Sequence, residues 1–288
     1  MASMRDIKRR KSSIESTQQI TKAMKLVSTV RLQKARQRAE NSKAYFNCMY
    51  ETVTSMLLRS GNVDHPYLKA RTSNRKAVIM ITSNRGLAGG YNSSIIKLIT
   101  RGEFKKEELD IYAVGKKGKD FLARYGYHIV EDNSSMIEAP IYSEALDLCK
   151  RVLQAYANGE IGEIYLTYTA FKNTVVHEPK LIKLLPVEQI DHPDTREDKK
   201  EVNSLMNFEP KDEEALDLII PKYITSLIYG GMVESVASEN AARMQAMDSA
   251  TNNADDMISK LSLQYNRARQ GSITQELTEI IGGAAAIS

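Results

Sequence analysis

The stretch IKRRKSSIESTQQITKAMKLVSTVRLQKAR, residues 7–36, holds neither glycine nor proline, and neither residue occurs anywhere before Gly61 and Pro66. These are the two residues that most often end a helix. Their absence predicts a single helix through most of the N-terminal segment, about 85 Å long at a rise of ~1.5 Å per residue. A seven-residue series runs through it: Ile7, Ile14, Thr21, Ser28, Ala35, Ser42, Met49 and Met56. Every member is apolar or small, so this series reads as a packing seam. A companion series three residues on, Arg10, Thr17, Met24, Arg31, Arg38, Tyr45 and Thr52, is polar in places.

The C-terminal end answers it. After Pro221 there is no further proline, and Val233, Ala237, Asn240, Met244, Met247, Thr251, Ala254, Ile258, Leu261, Tyr265 and Ala268 alternate at spacings of four and three. That is a heptad seam whose members are smaller and more polar than those of a leucine zipper. Small seam residues let two helices approach closely. Residues 1–43 carry twelve Lys/Arg and three acids, and residues 232–288 carry four bases and seven acids. The ends are therefore oppositely charged, and an antiparallel pair would bring them together.

Between them the texture changes. KAVIMIT (76–82), LDIYAVG (109–115), IGEIYLTYTAF (161–171) and VVHEPKLIKLLPV (175–187) read as strands. KKGKDFLARYG (116–126) and SEALDLCKRVLQAYANGE (143–160) read as helices, the second with Gly159 near its stop. Strands alternating with helices predict a parallel-rich, Rossmann-like α/β domain. The organisation is thus an N-terminal coiled-coil helix over residues 1–59, a central α/β domain over 75–190 and a C-terminal coiled-coil helix over 209–288. Residues 60–75 and 189–212 read as linkers, the second containing the solvated charge run DHPDTREDKKE.

Composition bounds the function. Of 288 residues, 42% are hydrophobic and 26% charged, with a formal net charge of +4, as in a folded domain. Cys48 and Cys149 make no disulfide framework and read as inert packing residues of a reducing compartment. His65, His128, His177 and His192 stand apart, with no metal-ligand spacing. No apolar run reaches the ~20 residues that span a bilayer, and LDLII is cut by Pro221 and Lys222. Neither a secretory signal nor a transit peptide is read at the N-terminus.

The glycine-rich TSNRGLAGGYN, Thr82–Asn92, follows the first strand, where a phosphate cradle would sit. Gly86, Gly89 and Gly90 fit neither G-x-G-x-x-G nor a P-loop, and no lysine follows Gly90. A tight strand-to-helix turn is the simpler reading. No G-x-S-x-G elbow is present. The basic N-terminal helix carries no aromatic residue in its first 44 positions, and its bases are spread around the helix. It reads as a solvated face, a surface for an acidic protein, or an electrostatic nucleic-acid binder.

Three segments together resemble the gamma subunit of F-type ATP synthase. They are the N-terminal run above with its ITKAMKLVS core, the loop TSNRGLAGGYN, and YNRARQGSITQELTEIIGGAAA over residues 265–286. Their order and spacing agree with that family over essentially the whole chain. The resemblance implies an antiparallel coiled coil inside a hexamer of three alpha and three beta subunits. It places the α/β domain at the foot, against the epsilon subunit and the membrane ring of c subunits. The chain would be a non-catalytic rotary shaft that couples proton flow through the c ring to ATP synthesis or hydrolysis on beta. It would hold no cofactor, metal or nucleic acid. Met24 and Lys25 resemble the family's contacts to an acidic lever loop of beta, and Arg85 is a second candidate for that loop. Arg269 and Gln270, with Thr274 beside them, resemble upper-shaft contacts to another beta loop.

One departure is Ala88, where many relatives have cysteine; another is the short, cysteine-free Pro186–Leu205 stretch, which implies no dithiol regulation. The implied location is the cytoplasmic side of a bacterial plasma membrane, held there through the c ring. Two rival readings come from other classes. One is a stand-alone nucleotide-binding α/β protein with helical arms; the other is a basic coiled-coil nucleic-acid binder.

Overall fold

The computed structural model describes residues 4–59, 65–69, 71–102, 104–187 and 212–287. The charge run at 191–201 and nearly all of the 189–212 stretch lie outside the described residues, as do 60–64 and 70 of the first linker stretch. The chain divides into two compact units, residues 1–29 with 243–288, and residues 30–242. Two helices contribute to both: α1, Met4–Arg59, and α5, Asp212–Ile287.

The larger unit is built on a five-stranded sheet in the order β3-β2-β1-β4-β5. Strands β1 (Lys76–Ile81), β2 (Leu109–Val114), β3 (His128–Asp132) and β4 (Glu163–Phe171) are parallel. β5 (His177–Leu185) returns antiparallel on the β4 edge. The crossovers carry α2 (Tyr91–Thr100), α3 (Lys116–Arg124) and α4 (Tyr142–Ala157). β1 is buried from Ala77 to Ile81, as a central parallel strand must be. Its alternate side chains feed two cores. Val78 and Met80 pack with Ile95, Ile99, Ile111 and Leu122 beneath α2 and α3. Ala77, Ile79 and Ile81 pack with Leu148, Tyr156, Ile220, Ile228 and Met232 beneath α4 and α5, where Val53 and Met56 of α1 also close.

The sequence reading misses β3, which lies on the sheet edge with alternate residues exposed. Its polar members, His128, Glu131 and Asp132, hide the strand pattern. Pro221 does not cut the last helix; α5 runs straight through it. A proline inside a helix costs about 3 kcal/mol, and the burial of Leu216, Ile220, Tyr223 and Ile224 around it offsets that loss. By length and composition alone α5 is the one helix among the described residues that is apolar enough to cross a membrane, over Ala215–Ala284. Its most apolar part is instead core of the α/β unit, from Leu216 to Met232.

In the smaller unit the two helices run antiparallel. Gln18 hydrogen-bonds Asp255, the Thr21 and Thr251 hydroxyls meet at 2.7 Å, and Lys25 reaches Asp248 at 2.5 Å. Of the seven-residue series, Ile7, Thr21 and Ser28 are buried and Ile14 half-buried here; in the larger unit Ala35 and Met56 are buried and Met49 half-buried, and the side chain of Ser42 lies outside the described residues. On α5 the four-three series from Val233 to Ala268 is buried or half-buried throughout. The companion series on α1 is displaced by one residue from its sequence reading. Arg10, Thr17, Arg31, Arg38 and Tyr45 are exposed, whereas Leu32 and Val53 are buried and Lys11, Gln18, Lys25, Ala39 and Phe46 half-buried. The two rows are alike only as far as residue 25; from there the buried row is the apolar one (Leu32, Ala39, Phe46, Val53) while the exposed row carries Arg31 and Arg38, a difference the sequence reading passes over. Lys11, Gln18 and Lys25 can flank the seam because their alkyl stems cover it while their polar ends stay wet.

One ionic cluster ties three strands. Glu163 on β4 takes Lys76 from β1 at 2.8 Å and Lys183 from β5 at 2.9 Å. Burial opposes its charge, but hydrogen bonds from Lys76, Lys183 and Tyr165 win and hold its pKa at about 2. A depressed carboxylate stabilises the fold above its unfolded pKa and loses that effect as pH falls through the folded one. Wild type should therefore be more stable than Glu163→Gln near neutrality, and the gap should close between about pH 4.5 and about pH 2. Urea unfolding at several pH values checks this; a gap independent of pH would contradict it.

Candidate functional site

An α/β sheet of this kind binds ligands at the carboxyl ends of its strands, where the strand order reverses. Here that point lies between β1 and β4. The glycine-rich loop Thr82–Gly90 leaves β1 there and enters α2. Its side chains close the loop on itself. Ser83 N–H donates to Asn92 Oδ1 at 2.9 Å, and Ser83 Oγ donates to the Arg85 carbonyl at 2.7 Å. Leu87 and Gly89 take left-handed backbone angles, φ 63° and 55°, so the turn is tight and Leu87 points outward.

The start of α3 is the other place where an anion would find free N–H groups. All three are occupied. Lys116 N–H donates to Asn84 Oδ1, Lys117 N–H to the Ser83 carbonyl and Gly118 N–H to Thr82 Oγ1, each at 3.0 Å. Thr82 Oγ1 in turn donates to the Gly115 carbonyl at 3.1 Å. The two chain segments touch at Gly115, where φ is +129° and a Cβ would lie 2.0 Å from the Thr82 carbonyl oxygen. The crevice beside β4 is filled as well. Ser235, Ser238 and Glu234 of α5 hydrogen-bond the main chain of Thr169 and Phe171. At the start of α3 and beside the end of β4, the polar groups that a ligand would meet therefore bond one another.

A groove of about 310 Å³ with a basic lining is open. Arg31, Lys34 and Arg38 enter it from α1 and Arg85 from the glycine-rich loop, against Glu138 and Glu239. Four bases face two acids, so the groove suits an acidic protein segment. The sequence reading spreads the N-terminal bases around the helix. In the fold, residues 31, 34 and 38 share one face, as spacings of three and four require. That spacing in RLQKARQR was the signal that could have found them.

The other candidate residues lie in the smaller unit. Met24 is half-buried, and Lys25 beside it pairs with Asp248. Both partners of that pair are about half exposed, so it adds less than about 1 kcal/mol. Arg269, Gln270 and Thr274 are exposed, with the Thr274 hydroxyl donating to the Gln270 carbonyl at 2.9 Å. Arg85 belongs to the α/β unit, so the six candidates divide between the two units. Of the cysteines, Cys149 is a buried packing residue whose thiol burial pushes up to about 11. Cys48, read as a packing residue, is exposed. It lies on the outer side of α1 between half-buried Phe46 and Met49, where helical periodicity turns it away from the seam.

The family model described as ATP synthase matches residues 3–287. The chain is 66% identical to the ATP synthase gamma chain of Lachnoclostridium phytofermentans over the full length of both. It is 39% identical to the sodium-ion-specific ATP synthase gamma chain of Acetobacterium woodii, covering 99% of each. Among solved structures it resembles a chain of the central stalk and c-ring of Tetrahymena thermophila mitochondrial ATP synthase. That match has a TM-score of 0.59 and 25% identity, over 80% of this chain and 99% of that one. A chain of the Euglena gracilis mitochondrial ATP synthase shares the fold at a TM-score of 0.67 and 20% identity, over 99% of this chain and 94% of that one.

Thr82→Val keeps the shape of the side chain and removes both of its hydrogen bonds. It should destabilise the α/β unit by about 1–3 kcal/mol, because the Gly118 N–H and the Gly115 carbonyl lose their partner. Chemical denaturation reads this directly; an unchanged midpoint would show that the loop does not depend on Thr82.

Proposed function

This chain belongs to the gamma-chain family of F-type ATP synthase, the rotor subunit of the central stalk, and on that premise we propose how its parts divide the work. α1 and α5 form the shaft and turn inside a hexamer of three alpha and three beta subunits. The α/β unit forms the foot, against the epsilon subunit and the c ring. The chain performs no catalysis of its own; ATP is made or cleaved on beta. Through the c ring it is peripheral to the plasma membrane of a bacterium, on the cytoplasmic side. The functional division follows the N-terminal helix to about residue 59, the α/β domain from 75 to 190 and the C-terminal helix from 209.

The observation that carries this reading is the seam. Two helices packed through Thr21, Ser28, Ala35, Ala237, Thr251 and Ala254 approach closely along small side chains. Small seam residues make a slender shaft, and helices without internal glycine or proline on the α1 side make a stiff one. The outward faces carry short aliphatic stripes at spacings of three and four: Leu26, Val27 and Val30 on α1, and Ile273, Leu277, Ile280 and Ile281 on α5. Such a surface can slide against a sleeve. The N–H groups at the start of α3 are already bonded to Thr82, Ser83 and Asn84, which favours this reading over the nucleotide-binding rival.

Rotation changes affinity on beta only if the shaft touches each beta subunit differently in each position. The basic groove supplies such asymmetry, since Arg31, Lys34, Arg38 and Arg85 face one direction. An acidic lever loop of beta would sit against it, with Arg85 as its contact on the α/β unit. Met24 and Lys25 would meet a lever loop on the shaft, and Arg269, Gln270 and Thr274 a loop higher up.

Reconstitution tests the reading. One copy of the chain per hexamer, with ATP hydrolysis by alpha and beta dependent on it and none from the chain alone, is the expected outcome. Nucleotide binding by the isolated chain without hexamer assembly would overturn it. Within the complex, Met24→Lys places a charge beside a lever loop, and Arg85→Glu reverses one. Each should lower the ions pumped per ATP hydrolysed by about twofold or more; an unchanged ratio in both would remove these residues from the coupling surface.

A further inference from the structure

Strand β4 runs further than the strand beside it. β1 pairs with it from Lys76 opposite Glu163 to Met80 opposite Thr167, and ends at Ile81. β4 continues to Phe171, paired on its other edge with β5. Alternate residues of a strand offer their main-chain groups to opposite edges. Beyond Thr167, the groups of Thr169 and Phe171 thus face the side that β1 has vacated.

α5 takes that side. Ser235 Oγ accepts the Thr169 N–H at 3.3 Å, and Ser238 Oγ donates to the Thr169 carbonyl at 3.2 Å. Glu234 Oε2 accepts the Phe171 N–H at 3.3 Å. Thr169, Ser235 and Ser238 are all buried. The helix comes this close because Gly231 has no side chain; a Cβ there would stand 3.3 Å from Leu166 and from Tyr168. Burial pushes the Glu234 carboxyl up, against the pull of the Phe171 N–H and Lys180.

We propose that Glu234, Ser235 and Ser238 lock α5 in rotational register on the sheet, so that torque on the α/β unit turns the helix instead of rolling past it. The proposal rests on the shaft reading above. Most of the remaining contact between α5 and the sheet is apolar, through Ile220, Ile224, Ile228 and Met232. Apolar burial is non-directional: it resists separation more than rolling or sliding. Hydrogen bonds weaken steeply with angle and distance. Rolling the helix by one residue, ~100°, or sliding it by one rise, ~1.5 Å, breaks all three together. The groups left behind would be buried and unpaired, which is the costliest state for a polar group. The three residues sit on one face, at spacings of one, three and four. They are positioning residues, acting through the main chain of β4 and touching no substrate.

The test uses the assembled complex with wild-type chain, the Ser235→Ala/Ser238→Ala double variant, Glu234→Leu and Glu234→Gln. Amide exchange at Thr169 and Phe171 reads the bonds themselves, and should quicken by about tenfold or more where a bond is removed. With each hexamer stalled, a bead fixed to the α/β unit should show a wider angular spread in the double variant and in Glu234→Leu. The ions pumped per ATP should fall in the same variants while hydrolysis persists. Glu234→Gln keeps an acceptor and should restore both. If the double variant does not assemble, Ser235→Ala alone, which removes the acceptor of the Thr169 N–H and keeps Ser238, carries the same comparison. Unchanged exchange, or quickened exchange with unchanged angular spread and pumping ratio, would overturn the proposal. A wild-type chain that supports no pumping in the complex would instead strike at the shaft reading.

Discussion

A buried main-chain N–H or C=O has to find a partner, and in this protein that requirement shapes the end of the sheet where a ligand would otherwise bind. At the start of α3, Thr82, Ser83 and Asn84 satisfy the first three N–H groups. Beyond the end of β1, side chains of α5 satisfy Thr169 and Phe171. Both solutions come from within the chain. The fold keeps the mostly parallel sheet of a Rossmann-like domain, and at these two places its polar groups are used to hold its own loop and its own helix.

The same economy of space governs the helix pair. Small seam residues such as Ala35, Ala237 and Ala254 bury little area each, so they stabilise the pair weakly. The α/β unit compensates, because the N-terminal third of α5 is a core element beneath the sheet. Glycine at 231 and serine at 235 and 238 belong to that arrangement. Larger side chains would bury more area and hold the helix too far away for its hydroxyls to reach β4.

Charge adds direction to this frame. The seam is nearly neutral in character, and the ion pair of Lys25 with Asp248 is half exposed and weak. The basic groove is different, since bases from α1 and from the glycine-rich loop converge on one opening. Electrostatic attraction of this kind favours a partner of opposite sign without demanding a single packed register. That property suits the contact with beta proposed for this groove.

The sequence by itself determined the elements that depend on neighbours along the chain. A breaker-free run gives a helix, a four-three series on α5 gives its buried face, and KAVIMI gives a central strand, because periodicity and backbone preference are local. Its three ordered motifs also carried the family. It left open whatever depends on residues distant in sequence. The companion row of α1 was read one residue early, because its first turns, Lys11, Gln18 and Lys25, are as polar as Arg10 and Thr17, and β3 was hidden because an edge strand tolerates charges such as Glu131 and Asp132. Arg31, Lys34 and Arg38 share a face by helical spacing alone, but only the tertiary fold brought Arg85 to the same groove. Whether the glycine-rich loop kept donors to spare was a question of tertiary contact too, since hydrogen-bond donors are consumed by whatever atoms the fold brings within about 3 Å of them.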